Sequence, residues 1–145
     1  MKLTIELVPQ TSWFSNLRSL LSQGDWDVVR KGCYVKAGHV CEICGGVGPK
    51  HPVECHEVWE YDEESGVQKL VGLIALCPNC HEVKHIGLAG IKGRREQAIE
   101  HFCKVNECTK EIAESHINKA FNDWNRRSNM DWTLDVSKLE ELKNG

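Results

Sequence analysis

The chain contains two CxxC pairs, Cys41-Glu42-Ile43-Cys44 and Cys77-Pro78-Asn79-Cys80, and the second pair runs directly into His81-Glu82-Val83-Lys84-His85. The two-residue spacing lets both thiolates of a pair turn toward one ion, and four thiolates close a tetrahedral zinc site. Gly45-Gly46 follows the first pair and suits the tight backbone of a zinc knuckle. A redox role is the alternative, but the chain lacks the βαβ pattern of a thioredoxin-like protein. We therefore predict a structural zinc ion held by Cys41, Cys44, Cys77 and Cys80.

The sequence between the two pairs has the composition of a β-hairpin. Val53 to Tyr61 and Lys69 to Leu76 are rich in residues that favour strands, and the polar segment Asp62 to Gly66 separates them. A short helix is then predicted from Asn79 to Ile86, directly after the second pair. The zinc ion would therefore hold together a small core in which two strands are followed by a helix.

Segments on both sides of this core have regular patterns. Lys2 to Val8 alternate and predict a short strand, and Ser15 to Leu21 predict a helix. Asp25 is placed to cap a second helix from Trp26 to about Ala37. After the core, helices are predicted from Arg94 to Val105, from the N-cap Thr109 to about Arg127, and from the capping-box pattern Ser137-Lys138-Leu139-Glu140. The fold class is therefore predicted to be α+β.

The composition is that of an ordinary domain apart from eight cysteines and seven histidines among 145 residues. The formal charge of -3 excludes a strongly basic coat for nucleic acid as a global property. Met1 to Thr4 is not followed by the apolar stretch of a signal peptide, and no run approaches the roughly 18 apolar residues that cross a bilayer. We therefore expect a cytoplasmic protein without membrane association, in which thiols stay reduced and paired cysteines bind metal.

A weak excess of basic residues lies in the later helices, concentrated at Lys92, Arg94, Arg95, Arg126 and Arg127. Two interpretations remain open. The residues form either a solvated helix surface or a local face that contacts phosphates.

Three histidines are predicted to lie close together beside the zinc site. His81 and His85 are four residues apart on the predicted helix and share a face, and His56 comes from the first strand, next to Glu57. Imidazoles can hold an ion that keeps a position open for water or phosphate, and a carboxylate can transfer protons. We therefore predict a second, catalytic metal site with His56, His81 and His85 as ligands and Glu57 as the proton-transferring group. Alternatively, some of these histidines only cap the helix or bond to the backbone.

The run from His81 to His85 also matches the HExxH helix of metallopeptidases. However, the predicted helix starts only after Cys80 and is short, and no long strand that could align a peptide substrate is evident. A peptidase is therefore the weaker interpretation.

Together these residues resemble the HNH, or ββα-metal, nuclease superfamily. In that family a CxxC pair precedes a hairpin strand with two adjacent functional residues, and a second CxxC followed by His opens the helix. The same order occurs here in Cys41 and Cys44, then Val53-Glu54-Cys55-His56-Glu57-Val58, then Leu76 through His85.

The resemblance covers residues 38–90 and says nothing about the N-terminal helices or the last 55 residues. Residues 38–90 would form a zinc-stabilised ββα-metal core. An N-terminal strand and helix extension over residues 1–37 and a C-terminal helical extension over residues 91–145 would flank it, in one compact unit.

The resemblance also implies an activity, which is hydrolysis of a phosphodiester bond with one divalent metal. By position, His56 falls on the metal ligand of the first strand, Glu57 on the general base, and His81 and His85 on the ligands of the helix. Glu57, His56 and His81 would thus be the catalytic residues. The second metal would be Mg²⁺, Mn²⁺, Ni²⁺ or Zn²⁺, and the partner would be nucleic acid, DNA more than RNA.

Two departures from the family pattern favour an alternative function. The general base of the family is usually an imidazole, and a carboxylate at Glu57 would need a raised pKa or another role. In a shifted alignment His56 becomes the base and Cys55 the ligand, but a thiolate suits zinc far better than magnesium. The central Asn of the family falls on Gly72, and neither Gln68 nor Asn79 is at the matching place. The alternative is a catalytically inactive zinc-binding module that binds nucleic acid or a protein partner.

Overall fold

The structure is a computed structural model that describes residues 1–144. Within that range there are seven helices and three strands. In chain order they are α1 (Leu17–Leu20), α2 (Gln23–Lys36), β1 (Glu54–Asp62), β2 (Val67–Leu76), α3 (Pro78–Lys84), α4 (Ile86–Ile91), α5 (Arg95–Asn106), α6 (Lys110–Arg127), β3 (Thr133–Asp135) and α7 (Leu139–Asn144). The predicted α+β class is confirmed.

The predicted β-hairpin is confirmed as β1 and β2, which pair antiparallel. Glu54 lies opposite Leu76 at the open end, and Asp62 lies opposite Val67 at the turn. Gly66 adopts a left-handed conformation with φ +70°, and its N–H donates to the carbonyl of Asp62 at 2.9 Å. Glycine reaches this conformation without a steric penalty, which explains its place in the turn.

A third strand, β3, was not predicted. It pairs parallel with β2 and contains only Thr133–Asp135. Three residues are too few for an alternating pattern to be visible in the sequence.

The main hydrophobic core includes side chains from β2, α3, α5 and α6. Leu76, Val83, Phe102 and Ile117 are among its fully buried members. The three- and four-residue spacing of apolar side chains in α5 and α6 places them on one face of each helix. This packing fixes α3 against the sheet.

The N-terminal strap, residues 2–16, contains no helix or strand, so the strand predicted for Lys2 to Val8 is not formed. Residues 10–14 of the strap form a turn. Leu3 and Ile5 are buried as their alternation indicates, but side chains of α5 and α6 satisfy their backbone groups in place of a partner strand. Asn106 accepts from the N–H of Leu3 at 2.9 Å and donates to its carbonyl at 2.8 Å. The N–H of Ile5 donates to His116 Nε2 at 2.9 Å. The alternating pattern therefore indicated burial correctly, but the backbone of this segment bonds to side chains and not to a neighbouring strand.

Further along, the strap stays attached to α6 and to the segment that follows it. Trp124 Nε1 donates to the carbonyl of Val8 at 3.0 Å, and the N–H of Gln10 donates to Ser128 Oγ at 3.0 Å. The strap therefore runs along the C-terminal helices before it reaches α1.

The helix caps agree with the sequence in one case and differ in another. Thr109 caps α6 as predicted, since its hydroxyl accepts from the N–H of Ile112 at 3.3 Å. Asp25 does not cap α2, because Ser22 does so by accepting from the N–H of Asp25 at 3.1 Å. Both Ser and Asp are good N-caps, so composition alone did not decide between them.

No helix among residues 1–144 is long and apolar enough to span a membrane. The division into parts at residues 37 and 90 stays a prediction. Gly145, the last residue of the predicted C-terminal extension, lies outside the described residues.

We predict that Asn106→Ala lowers the free energy of unfolding by about 1–3 kcal/mol, because it leaves the N–H and carbonyl of Leu3 without partners in a partly buried place. Urea denaturation measures this change. Asn129→Ala is the matched control, because Asn129 donates to a backbone carbonyl at an exposed position, and a change of less than about 0.5 kcal/mol is expected there. Equal effects of the two substitutions would contradict a stabilising role of the two hydrogen bonds between Asn106 and Leu3.

Candidate functional site

The four cysteines predicted to share one site lie together. Cys41 and Cys44 belong to the loop between α2 and β1, Cys77 is the N-cap of α3, and Cys80 lies in its first turn. One sulfur atom from each lies within 4.8 Å of the other three. The N–H of Cys44 donates to Cys41 Sγ at 3.5 Å, and the N–H of Cys80 donates to Cys77 Sγ at 3.4 Å. The cluster could hold a metal ion such as zinc.

The thiols of this cluster differ in acidity. Burial raises the pKa of Cys41, but hydrogen bonds from the backbone of Cys44, Cys77 and Ile43 outweigh it and lower the pKa to about 7. Burial, with the charges of Cys41 and Cys77, raises the pKa of Cys80 well above its ordinary value. Four thiolates at these distances repel one another, so their full ionisation requires a bound cation.

A histidine that the sequence analysis missed contacts this cluster. His101 comes from α5, and its Nε2 lies 3.1 Å from Cys80 Sγ. The contact joins residues 21 positions apart in sequence, and no local motif signals it. A ring N–H at this place would donate to the thiolate and orient it.

The second cluster is the histidine triad, which consists of His56, His81 and His85. One ring nitrogen from each lies within 4.8 Å of the other two. His56 lies on β1, His81 lies on α3, and His85 is the C-cap of α3. His81 Nε2 and His85 Nε2 are 3.1 Å apart, and the His56 ring centroid lies 5.4 Å and 5.3 Å from those of His81 and His85. The structure thus brings together the three residues that the sequence suggested as ligands.

The surroundings of His56 and His85 favour neutral imidazoles. Burial, with the neighbouring histidines, lowers the pKa of His56 to about 3. Burial and the charge of His81 lower the pKa of His85 to about 4. Unprotonated rings at neutral pH keep the lone pairs that a metal ion needs.

A carboxylate that the sequence analysis did not single out contacts the triad. Glu54 Oε2 bonds to His81 Nδ1, and Glu54 Oε1 lies 2.9 Å from His51 Nε2. The first bond leaves the Nε2 of His81 to face the triad, as carboxylates commonly do for metal-binding histidines. Glu54 is two residues before His56 on β1, so strand alternation places both on one face. The two-residue period of the strand was the sequence signal that could have identified Glu54.

Glu57, the predicted proton-transferring group, is held by other contacts. Its Oε1 accepts from the N–H of Leu17 at 2.6 Å, and its Oε2 accepts from Trp59 Nε1 at 3.1 Å. Burial raises the pKa of Glu57, against the opposing effect of these hydrogen bonds. Because Glu57 follows His56 in the strand, alternation directs the two side chains to different faces of the sheet, and both residues line the cavity described below. Its catalytic role stays a prediction.

The positions considered for the missing Asn lie elsewhere. Gly72 is opposite Val58 in the hairpin, and Gln68 is opposite Tyr61 near its turn. Gln68 is fully buried, and its amide has no hydrogen-bond partner within the part of the chain that the structure describes. Asn79 is exposed at the start of α3. The structure gives none of them a contact with the triad.

A cavity of about 710 Å³ opens beside the histidine triad. Its walls come from the strap and α1, β1, α3, α4 and α6. The strap and α1 contribute Glu6, Leu7, Val8, Gln10, Trp13, Ser15, Asn16 and Arg18, β1 contributes Cys55, His56, Glu57 and Trp59, α3 with its C-cap contributes His81, Lys84 and His85, and the later helices contribute Gly87, Leu88, Ile91, Phe121 and Trp124. The volume lies within the range of small-molecule sites.

Most of the predicted basic face is neutralised by ion pairs. Four of its five residues contact carboxylates, as shown by Arg94 with Glu82 (2.6 Å), Arg95 with Glu114 (2.7 Å), Arg126 with Glu63 (2.5 Å) and Arg127 with Glu63 (3.3 Å). Paired guanidinium groups contribute little net positive potential. Of the two interpretations left open by the sequence, the pairing favours a solvated helix surface.

Comparisons with protein-family models, with curated proteins and with solved structures found no match for this chain. What the two clusters can do therefore follows from their donor atoms and their surroundings.

We predict that the two clusters bind metal independently. Cys77→Ser should remove one tightly bound zinc per chain and lower the melting temperature, because a serine hydroxyl cannot replace a thiolate ligand. His85→Ala should remove a second, chelator-labile ion and leave the first in place. Elemental analysis before and after treatment with EDTA measures both. Cys108→Ser is the control, since Cys108 lies outside both clusters. Loss of the same ion in Cys77→Ser and His85→Ala would contradict two separate sites.

We predict that the protein stripped of its labile ion loses stability as the pH falls below about 6.5. In the unfolded chain both histidines titrate near about 6.5, whereas in the folded chain the pKa values of His56 and His85 are about 3 and about 4. Between these limits the unfolded chain binds more protons, so the free energy of unfolding falls as the pH is lowered and is highest above about 6.5. Urea denaturation at several pH values measures the slope. His56→Gln should have a shallower slope than the wild type, and identical slopes would contradict the burial of a neutral His56.

Proposed function

We propose that this protein is a metal-dependent endonuclease of the HNH type that hydrolyses phosphodiester bonds in nucleic acid. The observation that carries the proposal is the histidine triad, whose nitrogen donors lie within 4.8 Å of one another and which lines a large open cavity. A structural metal site is closed by protein ligands, whereas a catalytic ion keeps a position free for water or substrate.

The order of the elements supports this class of protein. A cysteine pair precedes β1, β1 carries His56, and the second pair opens α3, which carries His81. We propose that residues 38–90 are a ββα-metal core and that the four cysteines hold a structural zinc ion at its base. The segments before and after this core would then be extensions that add walls to the cavity.

The donor atoms of the triad fit a divalent transition-metal ion. Imidazole nitrogens suit Zn²⁺ or Ni²⁺, whereas Mg²⁺ prefers oxygen ligands and keeps several waters. When bound, such an ion would supply Lewis-acid stabilisation of the charge that develops on the phosphate and on the leaving oxygen.

Two carboxylates of the chain, Glu54 and Glu57, would orient a ligand and transfer a proton. Glu54 orients the ring of His81 through its Nδ1. In hydrolysis the oxygen of water bonds to phosphorus, the P–O bond to the leaving group breaks, and one proton passes from the water to the departing oxygen. Glu57 holds the position of the proton acceptor in the HNH resemblance, and burial raises the pKa of its carboxyl group. It also holds the start of α1 through the N–H of Leu17.

The thiols fit a reducing compartment. All eight cysteines are free of disulfide bonds in the described chain, and zinc-binding thiolates persist where thiols stay reduced. We propose the cytoplasm as the location.

Cleavage of nucleic acid tests the proposal. Plasmid DNA, single-stranded DNA and RNA are incubated with the zinc-loaded chain and added Mg²⁺, Mn²⁺, Ni²⁺ or Zn²⁺. We expect cleavage to be strongest with Ni²⁺ or Zn²⁺. It should fall by about 10²-fold or more in His81→Ala and Glu57→Gln, and by about 10-fold to 100-fold in Glu54→Gln.

His39→Asn is the matched control, because His39 lies outside the triad and its φ of +61° is one that asparagine tolerates. It should cleave like the wild type. Absence of cleavage with every metal, or equal cleavage by His81→Ala and the wild type, would rule out the endonuclease.

A non-catalytic module on the same scaffold is the second candidate function. The carboxylate of Glu57 already accepts two hydrogen bonds, and Gly72 offers no side chain where the HNH pattern has an amide. Such a module would bind DNA in a salt-dependent manner without turnover, or would bind a protein partner.

A further inference from the structure

The cavity beside the histidine triad has a polar patch and largely apolar walls. The triad forms the polar patch, and Trp13, Leu88 and Ile91 are exposed on the walls, at 58%, 51% and 85%. Apolar side chains that stay this exposed next to donors for a metal ion indicate contact with an aromatic or apolar part of a ligand.

The cavity offers few free positive charges. Arg18 and Lys84 are its only Lys or Arg residues in the described chain, and Lys84 Nζ lies 2.8 Å from Glu6 Oε2. The arginines of the later helices are paired with carboxylates as well. Duplex binding depends on many Lys and Arg side chains that neutralise phosphates along both strands. The charge distribution therefore suits a ligand that presents a single phosphate at a time.

The volume of the cavity and its aromatic lining also suit a single unpaired nucleotide. A volume of about 710 Å³ is large enough for one nucleotide. Trp13 lies on the strap and lines the same cavity as the triad, and its ring packs against Phe14 with centroids 5.4 Å apart. An exposed indole face in such a place can stack on an unpaired base.

Building on the proposed nuclease activity, we propose that the substrate is single-stranded nucleic acid, in which one base enters the cavity and stacks on Trp13 while its phosphate lies at the histidine triad. Single strands supply an unstacked base beside each phosphate, whereas a duplex does not. DNA and RNA single strands share this chemistry, and the experiment distinguishes them.

Binding of labelled oligonucleotides tests the substrate class. Fluorescein-labelled DNA and RNA single strands of about 12 nucleotides, and the corresponding DNA duplex, are titrated with the zinc-loaded full chain without added divalent ion. We expect at least one single strand to bind about tenfold more tightly than the duplex, as measured by fluorescence anisotropy.

Substitution of Trp13 tests the stacking contact. Trp13→Ala should weaken binding of the single strand about tenfold, and Trp13→Phe should retain most of the affinity because it keeps an aromatic face. Val35→Ala is the control, since Val35 is 67% exposed on α2 and does not line the cavity. One abasic position in the strand should weaken binding by the wild type and add little to the effect of Trp13→Ala. Equal binding of duplex and single strand, or an unchanged affinity in Trp13→Ala, would overturn the inference.

The outcomes separate this inference from the nuclease proposal. Cleavage of plasmid DNA that depends on His81 but not on Trp13 would support the nuclease and overturn the single-strand specificity. Single-strand binding that depends on Trp13, without cleavage by any metal, would support the base-binding cavity and rule out the nuclease.

Discussion

The rest of the structure depends on the approach of four sulfur atoms that would repel one another as thiolates. Cys44 and Cys77 are 33 residues apart in sequence, yet their sulfur atoms are 3.5 Å apart. Burial and neighbouring charge raise the pKa of Cys80, so a cation is the natural partner of the cluster. Because the cluster joins the loop after α2 to the first turn of α3, it closes the hairpin between them.

That closure places the histidine triad. The hairpin register puts His56 opposite Ile74 in β2, only three residues before the N-cap Cys77. α3 then carries His81 back toward β1, where Glu54 meets its ring. The strap also lines the cavity, and its course is set by hydrogen bonds to α5 and α6 rather than by the cysteine cluster.

Much of the core was predictable because its signals are local. The turn-rich residues before Val67 and the N-cap Thr109 act within a few residues of where they occur, and both were placed correctly. The alternation of Leu3 and Ile5 correctly indicated burial but not pairing, since the backbone partners are more than 100 residues away. His101 was missed for the same reason, as its contact with Cys80 joins two separate helices.

The sequence by itself determined which cysteines and histidines are candidate metal ligands, and the order of the elements that carry them, because CxxC spacing, strand alternation and helical period are properties of neighbouring residues. Only the tertiary structure decided that Glu54 and not Glu57 contacts the triad, that the late arginines are paired with carboxylates, and that the strap adds aromatic walls to the cavity. These features depend on packing between distant segments, and no local period encodes which distant side chain meets a given atom.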